Sequence, residues 1–419
     1  MWSERPFAAA ALILAVTASS AFADAEAGLR ALYQRETGGV DNVFHAPPGR
    51  RAYPSEEARQ DAYLRWSGPL GKFSGVATSA EGVDCCGSNQ KGTVNELYAN
   101  LTIAEGVEAS VGKKVASWGM GQGFRPLDVI QREDRQAIEP LDLEGIPMVT
   151  IESFSGVSGI TLIVGDRSWM DGSGVEKDEL EAGLKYSSLL GSADLQIVAH
   201  ALERKEASAG AGLSIVSGDS FEAHASFNYL PYYTKQFHTL AGQPAGLLET
   251  HDPYVDVIKH HGAQALIGGS WTWENAVSLM IEAWHDDTAY TKSEWEDILD
   301  IAQSQSSLLE AGVPEEAVYG NINGASRIFK RRNILQDAVM VRLAYGGKDF
   351  RPEIYALATP ADGGLAVTAA ADYRLRDGII MFGAVRWLGG NRDSAYAQAG
   401  FSEIIYAGIR VEGALIDEN

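Results

Sequence analysis

The sequence is poor in cysteine, because its 419 residues contain only two, the adjacent Cys85 and Cys86. Two neighbouring cysteines cannot build the disulfide framework that stabilises small secreted domains. In an oxidising compartment we expect them to form a vicinal disulfide in a surface loop. Metal binding is the alternative, but the further Cys or His residues of a zinc site are missing nearby. No metal and no cofactor is therefore predicted.

Long apolar runs are missing beyond the N-terminus. Residues 1–23 combine Arg5, the apolar run Phe7–Val16 and an A-x-A site at 21–23, a pattern typical of a cleaved secretory signal peptide. No later stretch reaches the roughly 18 uninterrupted apolar residues of a transmembrane helix. A membrane location of the mature chain must therefore come from strands.

Positive charge is also in short supply. The chain has 34 Lys and Arg against 56 Asp and Glu, a formal net charge of −22, which argues against nucleic acid as a partner. The apolar residues are dispersed instead of gathered into core runs, and mean hydropathy is −0.12. With 45 Gly, 16 Tyr and 9 Trp, this composition favours one large barrel over several soluble domains.

Alternation of apolar and polar residues is the dominant pattern in the chain. Segments of about ten residues alternate, which matches the roughly 9–11 residues of a tilted strand that spans a membrane. A slip of one residue would place Glu222 or Asp372 in hydrocarbon, so the register is well determined. The pattern predicts about sixteen strands, within a range of fourteen to eighteen. They lie near 66–78, 94–104, 106–116, 147–155, 158–166, 178–188, 192–202, 207–217, 220–230, 262–273, 275–285, 335–346, 349–358, 364–375, 378–388 and 403–413.

The connections between these segments alternate between short and long. The longest are 117–146, 231–261 and 286–334, and in the last of them Lys292–Gly312 has apolar residues at helical spacing. This rhythm is typical of periplasmic turns and extracellular loops, so both termini are expected in the periplasm and the helix over the outer mouth. Aromatic side chains at strand ends would form the interfacial girdles, namely Trp271, Trp273, Trp284, Trp387 and Tyr345.

These patterns predict an all-β fold, an antiparallel up-and-down transmembrane barrel over residues 64–419. Residues 24–63 are polar and charged and are expected to form a periplasmic extension, or else a disordered leader. The soluble alternatives are a β-sandwich, which would need two or three domains at this length, and a propeller, whose repeat period is not visible.

The connection Trp118–Gly145 is longer than a surface crossing requires, and it is rich in glycine and charge. Folded into the barrel, its glycines would allow close approach to the wall, and its charges would pair with inward residues. We expect it to narrow the pore, with a purely structural strap as the alternative. The expected constriction residues are Trp118, Phe124, Arg125, Asp128, Arg132, Asp134 and Arg135.

Residues 111–119 (VGKKVASWG) and 124–130 (FRPLDVI) resemble a signature of alginate-export-like porins of Gram-negative outer membranes. In those barrels a strand with a similar core ends in Trp-Gly and runs into a loop with Pro, Asp and charged residues. The resemblance covers some forty residues. It implies an outer-membrane location, with outer-membrane lipids, lipopolysaccharide and a hydrophilic solute as partners.

Charged residues on the inward faces of the predicted strands would line a water-filled lumen. The expected set is Glu108, Lys114, Glu181, Lys185, Glu222, His224, Glu282, Arg342, Asp372, Arg374, Arg386 and Arg410. For any single one of them, a solvated strand face is the simpler interpretation. His200, His224 and His285 are candidates for a barrel hydrolase, but none stands in a nucleophile motif. We therefore expect a channel for a hydrophilic solute, with a hydrolase or a structural or adhesive barrel as alternatives.

Overall fold

Eighteen strands form a single closed antiparallel sheet in the computed structural model, which describes residues 24–38, 42–47, 50, 55–82, 87–131, 133, 143–167, 179–203 and 205–416. The strands are β1 (Asp24–Thr37), β2 (Glu56–Gly68), β3 (Gly71–Gly82), β4 (Ser88–Ala104), β5 (Val107–Lys114), β6 (Ile146–Ser155), β7 (Ser158–Asp166), β8 (Leu180–Leu190), β9 (Ala193–Leu202), β10 (Glu206–Ser217), β11 (Phe221–His238), β12 (Tyr254–Thr272), β13 (Val277–Asp286), β14 (Asp337–Tyr345), β15 (Phe350–Thr359), β16 (Gly364–Arg376), β17 (Ile379–Gly390) and β18 (Glu403–Ile416). Each strand pairs with its neighbours in sequence, so the wall is an up-and-down meander.

The first strand closes the barrel. β1 pairs with β2 on one side and with β18 on the other, where Ala25 lies opposite Ile416 and Thr37 opposite Glu403. Closure pairs the backbone groups of both terminal strands and removes the free edges that an open sheet would present. The start of β1 and the end of β18 therefore lie side by side, at the end of the barrel that carries the short turns.

The predicted strand number of sixteen is too low, and the predicted extension 24–63 is wrong for the ranges of β1 and β2. The sixteen predicted segments correspond to β3 to β18. β1 and β2 were missed because their outward faces are only weakly apolar, with five alanines among them, while Arg30, Arg59 and Asp61 point inward. The predicted signal peptide 1–23 and the cysteines 85 and 86 lie outside the described residues.

The outer face of the wall is apolar. Along β7, Ile160, Leu162 and Val164 are each more than two-fifths exposed, whereas the intervening Thr161 and Ile163 are buried. The same alternation holds along β8, β11 and β16, where the predicted registers are confirmed. A continuous apolar surface of this size would be unstable in water and suits the hydrocarbon of a bilayer. Within the described part of the chain, no helix has the length and apolar composition needed to cross a membrane.

Aromatic side chains lie exposed near both ends of the wall, including Trp271, Trp273, Tyr345 and Trp387 of the predicted girdles. Trp284 does not belong to this set, because only 4% of it is exposed and its ring packs inside the barrel. The assignment of Trp284 to a girdle is therefore wrong. Its side chain points into the barrel, where Phe124 of the β5–β6 connection packs against its ring.

Two helices and a short 3-10 helix form a cap over the end that carries the long loops. They are α1 (Lys292–Ser307), α2 (Glu315–Ala325) and the 3-10 helix Ser326–Lys330, so the predicted helix in this connection is confirmed. A capping box starts α1, since Thr291 and Glu294 each accept from the other's backbone N–H. The buried side chains of the cap pack on Phe44 of the β1–β2 loop and Ala395 of the β17–β18 loop. Three connections at this end of the barrel thus share one small hydrophobic core.

Candidate functional site

The described part of the connection between β5 and β6, residues 115–131, 133 and 143–145, folds into the barrel and lies against its inner wall. Its residues Trp118, Leu127 and Ile130 pack on inward side chains of β6, β7 and β9. Farther along the wall, Phe124 packs with Leu266 and other inward side chains of β12 to β16. Full burial of a Leu or Phe side chain contributes roughly 1.5–3 kcal/mol, so this apolar contact alone holds the loop firmly inside.

Glycines make this close approach possible. A Cβ atom at Gly123 would lie 2.7 Å from the Cε of Met340 and 3.0 Å from the Trp284 ring. On the wall, a Cβ at Gly183 would lie 2.5 Å from the Cδ1 of Ile130. Side chains at these positions would push the loop off the wall, so the expectation that glycine permits close packing in the lumen is confirmed.

Glu282 of β13 anchors the tip of the loop. Its two carboxylate oxygens accept the backbone N–H groups of Gln122 and Gly123, each at 2.7 Å. The Nε2 of His224 lies 3.0 Å from the same carboxylate, whose side chain is fully buried. Such charge-assisted bonds in a dry environment are stronger than those between neutral groups, and they hold the tip in one position.

Glu181 of β8 is the centre of a second anchor. It lies 3.0 Å from the guanidinium of Arg167 and 3.2 Å from the Nε2 of His200. The same guanidinium donates to the backbone carbonyls of Val129 and Ile130 in the loop. A buried carboxylate on the wall is therefore linked through one arginine to the loop backbone.

Asp128 holds the loop in its own shape. Its carboxylate accepts the backbone N–H of Trp118 at 2.9 Å and that of Glu133 at 3.1 Å. Burial raises the pKa of the Asp128 carboxyl, although the two donors and the guanidinium of Arg332 favour its charged form. Asp128 is thus an internal brace of the loop and is not in contact with solvent.

The opposite side of the loop faces the open lumen. Gln122 is exposed there, and Arg125 and Glu133 are half-buried with 3.7 Å between the Nη1 of the arginine and the carboxylate. Arg125 also donates to the carbonyl of Gly121 at 2.9 Å and to the Oγ of Ser117 at 3.2 Å. Among the described residues of the loop, the charged groups on this side are therefore held in place by hydrogen bonds and an ion pair.

Charged side chains line the wall that the loop leaves uncovered. Arg30 of β1 lies opposite both Asp61 of β2 and Arg410 of β18. Asp61 is buried and accepts from Arg30 at 2.8 Å and from Arg59 at 2.9 Å. A cavity of about 460 Å³ lies against this wall, and its lining also includes Glu353, Asp372 and Glu412. Guanidinium and carboxylate groups thus lie together along this side of the lumen.

The predicted constriction residues divide into three groups. Trp118, Phe124 and Asp128 are buried packing or bracing residues, and the expectation that the two rings serve as anchors agrees with their placement. Arg125 is the member that faces the lumen. Arg132, Asp134 and Arg135 lie outside the described residues. Whether the loop sets the selectivity of a pore stays a prediction.

The predicted lumen charges divide in a similar way. Glu181, His224 and Glu282 point inward but are buried beneath the loop, so they anchor it and do not contact the lumen. Lys185 also approaches the loop, with its Nζ 5.5 Å from the centre of the Trp118 ring. The others lie on inward faces that the loop leaves more open: Glu108, Lys114, Glu222, Arg342, Asp372, Arg374, Arg386 and Arg410.

Most of these open side chains have a partner on a neighbouring strand. Arg342 lies 2.5 Å from Glu353, and Arg386 donates to the hydroxyls of Tyr355 at 2.6 Å and Thr368 at 2.8 Å. The Nζ of Lys114 lies 3.4 Å from the carboxylate of Glu152 on β6. The sequence did not single out Arg30, Arg59, Asp61, Arg167 or Arg332 as site residues. Arg30, Arg59 and Asp61 could have been identified if β1 and β2 had been recognised as strands, because all three lie at inward-facing positions.

The candidate catalytic histidines pair with carboxylates. His200 and His224 contact Glu181 and Glu282, and His285 lies 2.8 Å from Asp337 and 3.1 Å from Asp287. Within the described ranges, no group of His, Cys, Asp and Glu side chains has the arrangement of a metal site. The two inward histidines therefore take part in anchoring the loop.

Removal of the tip anchor is expected to destabilise the protein. Glu282→Ala leaves two buried N–H groups and His224 without their acceptor, so the free energy of unfolding should fall by roughly 3 kcal/mol. The measurement is denaturant unfolding in detergent, followed by tryptophan fluorescence. Glu222→Ala is the matched control, because its carboxylate is more exposed and solvent screens its interactions. Equal effects of the two substitutions would contradict the assignment of Glu282 as an anchor.

The chain resembles solved structures of outer-membrane porins. No protein-family model and no curated protein matches it. OccK8 (OprE) of Pseudomonas aeruginosa is 10% identical with a TM-score of 0.57, and the match covers 95% of this chain and 100% of that one. OccAB1 of Acinetobacter baumannii is 9% identical with a TM-score of 0.59, over 95% and 99% of the two chains. OccK3 (OpdO) of Pseudomonas aeruginosa is 11% identical with a TM-score of 0.53, over 94% and 96%.

Likeness at this level of identity establishes the fold. The neighbours are porins of Gram-negative outer membranes, and their barrels match this one over nearly its full length. The finer resemblance to alginate-export-like porins is not confirmed by these matches. The chain therefore has the fold of a porin-like, closed antiparallel barrel of eighteen strands.

Proposed function

We propose that the protein is a channel that lets small hydrophilic solutes cross the outer membrane of a Gram-negative bacterium, and that it is not an enzyme. The observation that carries this proposal is the loop between β5 and β6. It lies inside a barrel whose outer face is apolar, and it presents Gln122, Arg125 and Glu133 to a lumen with a charged opposite wall. The porin fold of the structural neighbours supports the same function.

The inward loop narrows the pore and sets its selectivity. It occupies one side of the lumen and is held there by Glu282, Glu181 and apolar packing. A solute must then pass between the loop and the wall. Arg125 and Glu133 lie on the loop side, and the charged side chains around Arg30 lie on the wall side. Opposed charges at close range discriminate solutes by charge as well as by size. If the loop served only as a strap for the wall, its lumen-facing charges would have no effect on selectivity.

Charge reversal at Arg125 tests this function. Channels formed by the purified protein in planar bilayers should conduct, and Arg125→Glu should shift the reversal potential in a salt gradient towards cation preference, because a negative charge replaces a positive one at the narrow part of the pore. Arg35→Glu is the matched control, since Arg35 lies on the outward side of β1 and is more than half exposed. Absence of conductance from a folded barrel would refute the channel function, and an unchanged reversal potential would refute the selectivity role.

The long loops and the helical cap are proposed to face the cell exterior, with both termini in the periplasm and the apolar wall in contact with outer-membrane lipids and lipopolysaccharide. An epitope inserted at Gly312 should be labelled on intact cells. Gly312 is exposed between the two helices, and a Cβ atom there would meet nothing within 4 Å, so the insertion should not disturb the cap. Labelling only after permeabilisation of the outer membrane would reverse this topology.

A further inference from the structure

Three successive inward residues of β13 hold two different loops. The carboxylate of Glu282 binds the backbone of the constriction loop, by which we mean residues 115–145. The ring of Trp284 packs against Phe124 of that loop, with 6.0 Å between the ring centres. The carboxylate of Asp286 accepts from the side chain of Asn333 at 2.8 Å, and Asn333 belongs to the segment that returns from the cap to β14. The two loops therefore meet on one strand.

The returning segment is held in place on both sides of Arg332, at Arg331 and at Asn333. The guanidinium of Arg331 lies 5.0 Å from the Tyr290 ring centre and donates to the carbonyl of Thr288 at 3.2 Å. The Oδ1 of Asn333 accepts from the indole N–H of Trp284 at 3.2 Å. Arg332 lies between these two fixed residues, so its place in the barrel is determined by β13 and by the connection from β13 to the cap.

Arg332 reaches from this segment to the constriction loop. Its guanidinium carbon lies 4.7 Å from the centre of the Phe124 ring, a distance at which a cation is attracted to an aromatic face. Phe124 is completely buried and has Trp284 as its other aromatic contact. The guanidinium is also close enough to Asp128 and Asp286 to interact with both charges. One side chain from outside the constriction loop thus contacts the ring at its tip.

The cap that carries Arg332 is internally well packed. Trp295 of α1 is fully buried among cap residues and donates its indole N–H to the carbonyl of Asp393 in the β17–β18 loop at 2.8 Å. Lys235 of β11 lies 2.8 Å from Glu294 at the start of α1. A cap joined in this way to distant parts of the wall holds Arg332 in a stable position.

We infer that Arg332 is a positioning residue for the pore: from the segment that joins the cap to β14, it presses Phe124 against the wall and thereby keeps the constriction loop in its narrow arrangement. The inference rests on the proposed channel function and adds to it a residue that the constriction loop does not contain. Its consequence is that the aperture depends on the segment that joins the cap to β14. Without the guanidinium, the tip should leave the wall for part of the time, and the current should fluctuate between two levels.

Single-channel recordings of Arg332→Ala test the inference. Loss of a cation–π contact of about 1 kcal/mol should raise the fraction of time in the second current level roughly fivefold. Arg392→Ala is the matched control, because it removes an exposed arginine from the same end of the barrel. Arg332→Lys keeps the charge but loses the planar group that stacks on a ring. We therefore expect Arg332→Lys to keep the reversal potential of the wild type while the current fluctuates as in Arg332→Ala.

Each outcome of these recordings has a definite meaning. A steady current from folded Arg332→Ala, like that of the wild type and Arg392→Ala, overturns the inference and leaves the channel function intact. A quiet current from Arg332→Lys also overturns it, because charge alone would then suffice. Absence of current from the wild-type barrel refutes the channel function itself. If Arg332→Ala does not fold, Phe124→Leu removes the ring from the other side of the contact and must produce the same fluctuations.

Discussion

An apolar stretch of inner wall has to be covered before the lumen of this barrel can fill with water. The inward side chains of β6, β7, β9 and β12 to β16 include Ile163, Leu266 and Met340, which would be exposed in an empty barrel. The constriction loop covers them with its own apolar residues. The cost of wetting this wall is thus the reason that the loop lies inside, and the hydrogen bonds to Glu282 and Glu181 determine where on the wall it lies.

This arrangement divides the lumen into two unlike halves. The loop lies on one side, where the buried carboxylates of the wall hold it in place. The other half is an open wall on which Arg30, Asp61 and Arg410 lie in neighbouring positions. In the channel that we propose, the solute path lies between them, with the polar face of the loop on one side and fixed charges on the other. Selectivity by charge would then need no large motion of either side.

Much of the wall could be predicted from the sequence, because a lipid-facing strand must alternate and β3 to β18 do so clearly. β1 and β2 could not be recognised in the same way. Their outward residues include Ala27, Ala31 and Ala58, whose low hydrophobicity gives a weak signal, and Ala27–Tyr33 also has helical spacing. The closing strands are defined by pairing across the whole chain, between β1 and β18, which no local pattern contains.

The inward position of the loop was predictable, and its contacts were not. Length, glycine content and charge singled out the 118–145 connection, and the part of it that the structure describes lies inside the barrel. A strand pattern, however, shows only that Glu181, Glu282 and Trp284 are inward or outward, and it cannot show that an inward residue is covered by a second layer of chain. For the same reason Arg332 could not be found, because its contact with Phe124 depends on where two separate loops meet in the folded barrel.

Chemical access to Gln122 tests most directly whether the constriction loop borders the solute path. Gln122 is the exposed residue at the tip, next to the backbone bonds with Glu282. In a background with Cys85→Ser and Cys86→Ser, Gln122→Cys should react with a bulky water-soluble thiol reagent. We expect the single-channel current to fall in one discrete step as each pore is modified. An unchanged current after modification has been shown to be complete by mass spectrometry would contradict the account.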